Sequence, residues 1–358
     1  MTTARLPDPT FWAGKHVLLT GHTGFKGGWL ALWLKTLGAK VTGLALAPET
    51  KPSLFELADI GSCCRSEIAD LRDAAAVRNI VAATKPEIVL HLAAQALVRR
   101  SYREPGATFA TNAQGTANLL DALAGQPQLQ AVLAITSDKV YANDETGRAF
   151  REDDALGGHD PYSLSKAAAE HVVAGFRVAV FDKAGVALAT ARGGNVIGGG
   201  DYSEDRIVPD IVRAAASGTP LVLRNPSATR PWQHVLDCLC GYLVFAEKLA
   251  RGENAPHALN IGPDPAEIIT VSDIAEAMLP GLGANSPWQR DASAAGAPRE
   301  MHSLSLDPAR ARGLGIRDRL PGRLALDWTA EWYRAHASGA DARDLTNRQI
   351  ADYAALPC

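Results

Sequence analysis

The sequence predicts an α/β fold, a doubly wound parallel sheet with a smaller C-terminal lobe. Three observations predict it. Short apolar runs alternate with longer helical patterns through the first half. A glycine-rich turn joins the first apolar run to the first helical stretch. After about residue 193 the chain becomes irregular and glycine-rich. Alternation of this kind implies βαβ units, with helices covering both faces of a parallel sheet.

The buried strands are expected at HVLLT (16–20), KVTGLAL (40–46), EIVLHLA (87–93), AVLAI (131–135) and VALATA (186–191). Helical stretches are expected near 25–36, 73–83, 105–124 and 162–181. In the second half, GGNVIGGGDY (193–202) reads as a loop. DRIVPDIVRAAASG (205–218) reads as a helix ended by glycine, and CLCGYLVFAEKLA (238–250) as another. Neither an internal repeat nor a Ser/Pro-rich spacer is evident, so no flexible linker separates the halves.

Composition narrows the function. The 358 residues carry a net charge of −3, which gives no general attraction to nucleic acid or to an anionic membrane. No apolar run approaches the roughly 18 residues a membrane span needs. The opening MTTARLPDPTFW lacks the basic-then-apolar order of a signal peptide. The five cysteines (63, 64, 238, 240 and 358) form no C-x-x-C pair, which fits a reducing cytoplasm. The histidines show no ligand spacing, so no metal is expected.

HVLLTGHTGFKGGWLALWL sets Gly21, Gly24 and Gly27 directly after a strand and at a helix start. Such a turn lets the backbone approach a pyrophosphate, and the helix N-terminus offers it free N–H groups. The spacing G-x-x-G-x-x-G is one residue longer at its first step than the common dinucleotide fingerprint. Lys26 is either a phosphate contact or a solvated lysine. The acidic residue expected on the adenosine ribose is missing, because the second strand ends in Ala45 and Ala47. Asp70 either faces the adenine or caps the helix beginning near Asp73. The halves therefore divide into a dinucleotide-binding domain, 1–192, and a mainly substrate-binding lobe, 193–358. Within the lobe, about 233–250 is expected to pack back on the first domain.

HDPYSLSKAAAEH (159–171) places Tyr162 and Lys166 at i and i+4, on one helix face. Asp160 and Pro161 suit the start of that helix. A free tyrosine, with a pKa near ~10, is a poor base at neutral pH. A neighbouring ammonium and a nicotinamide cation would favour its phenolate. ITSDKVY (135–141) adds Ser137, Asp138 and Lys139 at the end of an apolar run. On a surface loop, Asp138 and Lys139 would be two solvated charges. His91, inside an apolar strand, reads as a satisfied core histidine.

The glycine loop, HLAAQ (91–95), Asn112, Ser137 and the Tyr162/Lys166 pair resemble the extended short-chain dehydrogenase/reductase superfamily. PSLFE, AAQALVRRSY, DPYSLSK, GGNVIGGGDY and RPWQHV narrow the resemblance to its nucleotide-sugar 4,6-dehydratases. The resemblance implies a seven-stranded Rossmann sheet, NAD as cofactor, a nucleotide-sugar substrate and a homodimer built on helices 105–124 and 162–181. It implies no nucleic-acid or membrane partner. It places NAD on Gly21, Thr23, Gly24, Phe25 and Gly27 of the turn. Asp70 and Leu71 follow the next strand. Ala93, Ala94 and Gln95 lie at the end of EIVLHLA and just after it, Asn112 lies further on, and Tyr162 and Lys166 close the set.

The resemblance also implies roles. Tyr162 is the base at the hexose C4 hydroxyl, and Ser137 positions that oxygen. Asp138 is the acid towards the C6 hydroxyl, and Lys139 the base towards C5, which requires a lowered lysine pKa. The dTDP-glucose enzymes carry glutamate where Lys139 stands, so this lysine points to the branch acting on CDP-glucose. Arg230 matches an arginine used on the substrate diphosphate, although a surface ion pair is the plainer alternative. Asn195 is a phosphate or sugar contact or a turn amide. Arg206 is a further substrate candidate, with Glu300 and His302 weaker ones. Two other functions share parts of this pattern. A 4-epimerase needs no acid and base beyond the Ser-Tyr-Lys set. A non-catalytic dinucleotide sensor does not need Tyr162 or Lys166.

Overall fold

The computed structural model describes residues 4–284, 287–291 and 303–357. Seven parallel strands form the main sheet: β1 (His16–Thr20), β2 (Lys40–Ala45), β3 (Arg65–Ile68), β4 (Ile88–His91), β5 (Ala131–Ile135), β6 (Ala187–Gly193) and β7 (Ala258–Ile261). Their spatial order is β3-β2-β1-β4-β5-β6-β7, and every neighbouring pair is parallel. The order reverses between β1 and β4, and ligands of such sheets bind outside the strand ends at that switch.

Helices cover both faces. One face carries α1 (Phe25–Thr36), α6 (Val235–Ala250) and α9 (Ala342–Ala355). The other carries α2 (Ala74–Thr84), α3 (Gly115–Leu123) and α4 (Pro161–Phe176). The strand period of two sorts β1 between these faces: Val17 and Leu19 join the first core, Leu18 the second. Helix α1 is apolar nearly all round, burying Trp29, Leu30, Leu32, Trp33 and Leu34, because α6 and α9 enclose it against the sheet.

Several expectations need amendment. The stretch 105–124 is not one regular helix. It runs as Pro105–Phe109, a π-helical turn at Ala110–Gln114 and then α3. The stretch 162–181 likewise ends in a π-helical turn at Arg177–Phe181. GGNVIGGGDY is not all loop, since Gly193 closes β6 and Asn195–Ile197 pairs in parallel with Trp232–His234. Strand β7 joins the sheet, and helices α6 and α9 join its covering layer, from beyond residue 192. Three further long helices, α5 (Ile207–Ser217), α7 (Val271–Gly281) and α8 (Arg323–Ala337), pack in the C-terminal lobe. Gly218 ends α5 in the left-handed region, as the sequence predicts. Glu300 and His302 lie outside the described residues.

Candidate active site

The glycine turn is tightly built. Gly21 sits at φ +81°, and a Cβ there would come within 2.8 Å of Ala93 N. A Cβ on Gly27 would collide with the Gly21 carbonyl oxygen. Gly24 is the N-cap of α1 and provides no side-chain acceptor, so the first N–H groups of this twelve-residue helix stay available for an anion. Thr23 Oγ1 donates to the Leu46 carbonyl at 2.9 Å, tying the turn to the tip of β2. Phe25 packs under Gly198. The residues present therefore fit a dinucleotide pyrophosphate.

Beside the glycine turn, the structure buries His22 against β2 and β3. Its ring occupies the space that a side chain on Gly43 would fill, and Nε2 pairs with Ser66 Oγ at 2.7 Å. Burial lowers its pKa to about 4, which makes it a neutral wedge at the strand tips. The sequence reading did not single it out. Asp70 does not cap the helix: Asp73 caps α2 through Ala75 N and Ala76 N. Asp70 instead grips the Arg72 guanidinium at 2.5 and 2.8 Å, and that pairing lowers its pKa. Leu71 is buried against Gly115.

After β4 the chain is held by side chains. Ala93 N donates to Thr20 Oγ1 at 3.0 Å. Asn112 accepts from Gln95 N at 2.8 Å and donates to Gln95 O at 3.0 Å and Ser165 Oγ at 2.9 Å. The Asn112 side chain thus pins the Ala93–Gln95 backbone beside the helix of Tyr162 and Lys166. The Gln95 side chain is taken up by Leu97 and Thr108, while Ala94 lines the cleft. His91 bridges Thr20 and Thr116 at 2.7 and 2.9 Å, which makes it a satisfied core residue.

The proton-handling residues converge at the ends of β4, β5 and β6. Asp160 caps α4 by accepting from Ser163 N at 2.9 Å, and Pro161 occupies the first turn. Tyr162 and Lys166 then face the cleft from one side of that helix. Lys166 Nζ donates to the Ile135 carbonyl at 3.1 Å. Burial, reinforced by the Lys26 charge, lowers Lys166 to about 7, and burial raises Tyr162 to about 12. The phenol is therefore held protonated; burial outweighs the favourable influence of Ser137.

Ser137 caps a single 3₁₀ turn, Asp138–Val140, and its Oγ accepts from Lys139 N at 3.2 Å. The Ser137 hydroxyl donates to Asp138 Oδ1 at 2.9 Å. Asp138 is only 2 % exposed, while Lys139 is partly exposed. This setting is not a solvated surface turn. Lys26 also reaches the cleft, where its ammonium lies 3.5 Å from Tyr242 Oη and burial lowers its pKa.

Asn195, Arg206 and Arg230 line the same cleft. Arg206 pairs with Asp201 at 3.2 Å. Arg230 donates to its neighbour's carbonyl, Thr229 O, at 2.7 Å. Sequence reasoning missed the arginines Arg99 and Arg224, which line the cleft and meet at Asp205 at 3.7 and 2.8 Å. The only available signal was AAQALVRRSY, read there as a motif rather than as charges.

Comparison with known proteins gives the family of the chain. The model of the NAD dependent epimerase/dehydratase family matches residues 17–262. A CDP-glucose 4,6-dehydratase of Salmonella typhimurium is 43% identical over 353 residues, covering 97% of this chain and 98% of that protein. A dTDP-glucose 4,6-dehydratase of Xanthomonas campestris pv. campestris is 32% identical over 232 residues, 62% of this chain and 64% of that one. Among solved structures, a dTDP-glucose 4,6-dehydratase from Streptomyces venezuelae with NAD bound superposes with a TM-score of 0.74 at 24% identity. It covers 90% of this chain and 98% of its own. A UDP-glucose 4-epimerase from Thermus thermophilus in complex with NAD gives 0.75 at 23% identity, covering 89% and 98%. At these identities the two structures speak to the fold.

Proposed function

The chain belongs to the NAD dependent epimerase/dehydratase family, and we propose that it removes water from CDP-glucose to give CDP-4-dehydro-6-deoxy-glucose. NAD is its cofactor. When bound, NAD accepts a hydride from the hexose and returns it within the same turnover. The observation that carries the reading is the buried Asp138 set between Ser137 and Lys139 opposite Tyr162. An epimerase has no use for that additional acid and base. The near-full-length similarity to a CDP-glucose 4,6-dehydratase supports the same choice.

Each residue then has one task. Tyr162 Oη takes the proton from the C4 hydroxyl, with Ser137 Oγ orienting that oxygen. Lys166, held on Ile135 O, places its charge on the same helix face as the phenol. The 4-ketone so formed acidifies C5, and Lys139 Nζ removes the C5 proton. Asp138 gives a proton to the departing C6 hydroxyl, which leaves as water, and Lys139 returns its proton to C5 as C6 takes back the hydride. Asn195, Arg206 and Arg230 hold the diphosphate and sugar, and the Gly21–Gly27 turn holds the cofactor pyrophosphate.

Two further expectations belong to this reading. The chain pairs as a homodimer through Pro105–Phe109, α4 and the turn after it, where Phe109, Leu164 and Val178 are exposed. It works in the cytoplasm, which suits the free thiols of Cys63, Cys64, Cys238 and Cys240. No helix among the described residues is long and apolar enough to cross a membrane.

The test is incubation with CDP-glucose, dTDP-glucose, UDP-glucose and GDP-mannose in turn, with NAD added, read by mass spectrometry. Loss of one water from CDP-glucose is expected. No mass change with any of them would reject the dehydratase and leave an isomerisation or a sensor.

A further inference from the structure

The catalytic groups sit on two separate elements. Tyr162 and Lys166 ride on α4, while Ser137, Asp138 and Lys139 ride on the turn after β5. Between them the chain leaves the cleft for an excursion through residues 142–160 that includes the strand Ala149–Phe150. Both sets must nonetheless act on adjacent carbons of one hexose. Something has to fix the turn relative to the helix.

A buried ion pair lies where such a link is needed. Glu170 is one helical turn beyond Lys166 on α4. Its carboxylate receives Arg192 Nε at 3.0 Å and Arg192 Nη2 at 2.9 Å, a two-point clasp. Their side chains are 6% and 5% exposed. The same carboxylate accepts the hydroxyl of Thr136 at 2.5 Å and that of Thr190 at 2.9 Å. Arg192 Nη1 donates to Tyr141 Oη at 2.9 Å and to the Glu152 carbonyl at 3.0 Å.

The positions of the two partners matter most. Thr136 immediately precedes Ser137, and Tyr141 immediately follows the Asp138–Val140 turn. Both shoulders of the catalytic turn are therefore bonded to one ion pair, whose carboxylate belongs to the catalytic helix. Tyr141 is anchored again by its own donation to Asn260 Oδ1 on β7 at 2.6 Å and by stacking on Phe150 at 5.0 Å.

Burying two charges is costly, and apolar side chains could fill the same volume. Packing fixes volume, whereas a satisfied polar network also fixes direction. We propose that Glu170 and Arg192 are positioning residues of the dehydration, a brace that holds the Ser137–Asp138–Lys139 turn in register with Tyr162 and Lys166. The proposal rests on the dehydratase reading above.

The brace acts on elimination more than on the first oxidation: Tyr162 and its cofactor site stay on the helix side, and of the residues on the turn only Ser137 serves the oxidation, while both Asp138 and Lys139 serve the elimination. Tyr141→Phe removes one hydroxyl from the far shoulder and keeps the ring. Thr136→Val removes one from the near shoulder. Glu170→Gln cuts the clasp itself but leaves Arg192 facing a neutral partner, so the two hydroxyl variants guard against simple misfolding.

Each hydroxyl variant is expected to lower kcat by about 10- to 100-fold, the cost of ångström-scale misplacement. KM for CDP-glucose should stay within about twofold. Rapid mixing with CDP-glucose should also show the near-ultraviolet absorbance of reduced nicotinamide persisting, because hydride leaves C4 while water loss lags. Arg192→Lys, which keeps the charge but loses the two-point clasp, should show the same signature. Unchanged kcat in both hydroxyl variants would overturn the brace. So would a fall in kcat without the absorbance signal, or one that only tracks the folded fraction measured by circular dichroism. Wild-type protein that takes no water from CDP-glucose would overturn the dehydratase reading itself, and the brace with it.

Discussion

Ser137 donates its hydroxyl to Asp138 Oδ1 at 2.9 Å, while Asp138 Oδ2 is buried with no hydrogen-bond partner among the described residues. A buried, half-satisfied carboxylate is costly in a protein that does not use it. Asp138 lines the cleft, where a substrate hydroxyl would supply the missing partner.

Asp138→Asn should therefore stop proton delivery while keeping the shape. A loss of about 100- to 10,000-fold in kcat is expected, the usual range for one general acid. The reduced cofactor should still form when CDP-glucose is mixed with the variant. Full activity in rapid-quench assays would remove Asp138 from the acid role.

Tyr162→Phe should fail earlier in the cycle. The phenol lines the cleft, and the helix start is held independently of it, with Tyr162 N donating to Ser101 Oγ at 3.1 Å and Asp160 capping α4. The variant should melt near the wild-type temperature and bind NAD, yet give no reduced-cofactor absorbance with CDP-glucose. Appearance of that absorbance at the wild-type rate would reassign the base.

Gly27→Ala tests the cofactor turn. The added methyl would press on the Gly21 carbonyl and displace the turn from α1. Overpacking of this kind costs about 1–3 kcal/mol. NAD titration by fluorescence or calorimetry should show binding lost or severely weakened, and the melting temperature should drop. Wild-type NAD affinity would mean the pyrophosphate lies elsewhere.

Arg206→Ala should raise KM for CDP-glucose with kcat nearly unchanged. Arg206 lines the cleft about a third exposed, and its partner Asp201 keeps hydrogen bonds from Ser203 N and Oγ. Removing one charge-assisted contact to a diphosphate is worth about tenfold or more in binding. Initial-rate kinetics decide it: a fall in kcat at constant KM would move Arg206 from binding to chemistry.

Acid should destabilise the fold through buried histidines. Burial lowers His22 to about 4, and His91 and His234 to about 3, against 6.5 for the free side chain. All three are neutral in both states well above pH 6.5, so they add no slope there. Below 6.5 the unfolded chain binds protons that the fold resists, and stability falls as pH drops towards 4. Glu247 opposes this: burial raises it from 4.5 to about 7, so its contribution falls as pH rises across that interval. Burial raises Asp237, to about 6, and Asp318 as well, and both oppose the histidines in the same way. The histidine share is therefore isolated by His22→Asn, whose melting temperature should fall less, or rise more, than that of the wild type between pH 6.5 and pH 5; an identical pH profile in the variant would contradict the neutral assignment of His22.

What was legible in the sequence was what repeats or what chemistry demands. Strands β1, β4 and β5 are apolar runs between polar ends, and such runs are buried wherever the sheet places them. The glycine turn, Asp160 with Pro161, and the Tyr162/Lys166 spacing encode local geometry directly. Strand β7 was not legible: ALNI is short, and its partner β6 lies far back in the chain, so only tertiary structure selects it. The π-helical turns carry no composition signal. Glu170 and Arg192 escaped notice for a different reason. A lone glutamate on a helix and an arginine ending an apolar strand each look ordinary, and their meaning arises only when Thr136 and Tyr141 meet them.

Strand β7 also imposes an order of events on synthesis. The hydrogen-bonding edge of β6 finds its partner only after the whole stretch 194–257 has been made. Every proposed catalytic residue, Lys166 included, leaves the ribosome before that edge is closed. Helix α9, which shields α1 and so stands behind the cofactor turn, arrives later still. A nascent chain halted after residue 200 should accordingly hold all its proton carriers yet remain protease-sensitive and prone to edge pairing, and limited proteolysis of stalled chains would reveal resistance only once residue 261 has emerged.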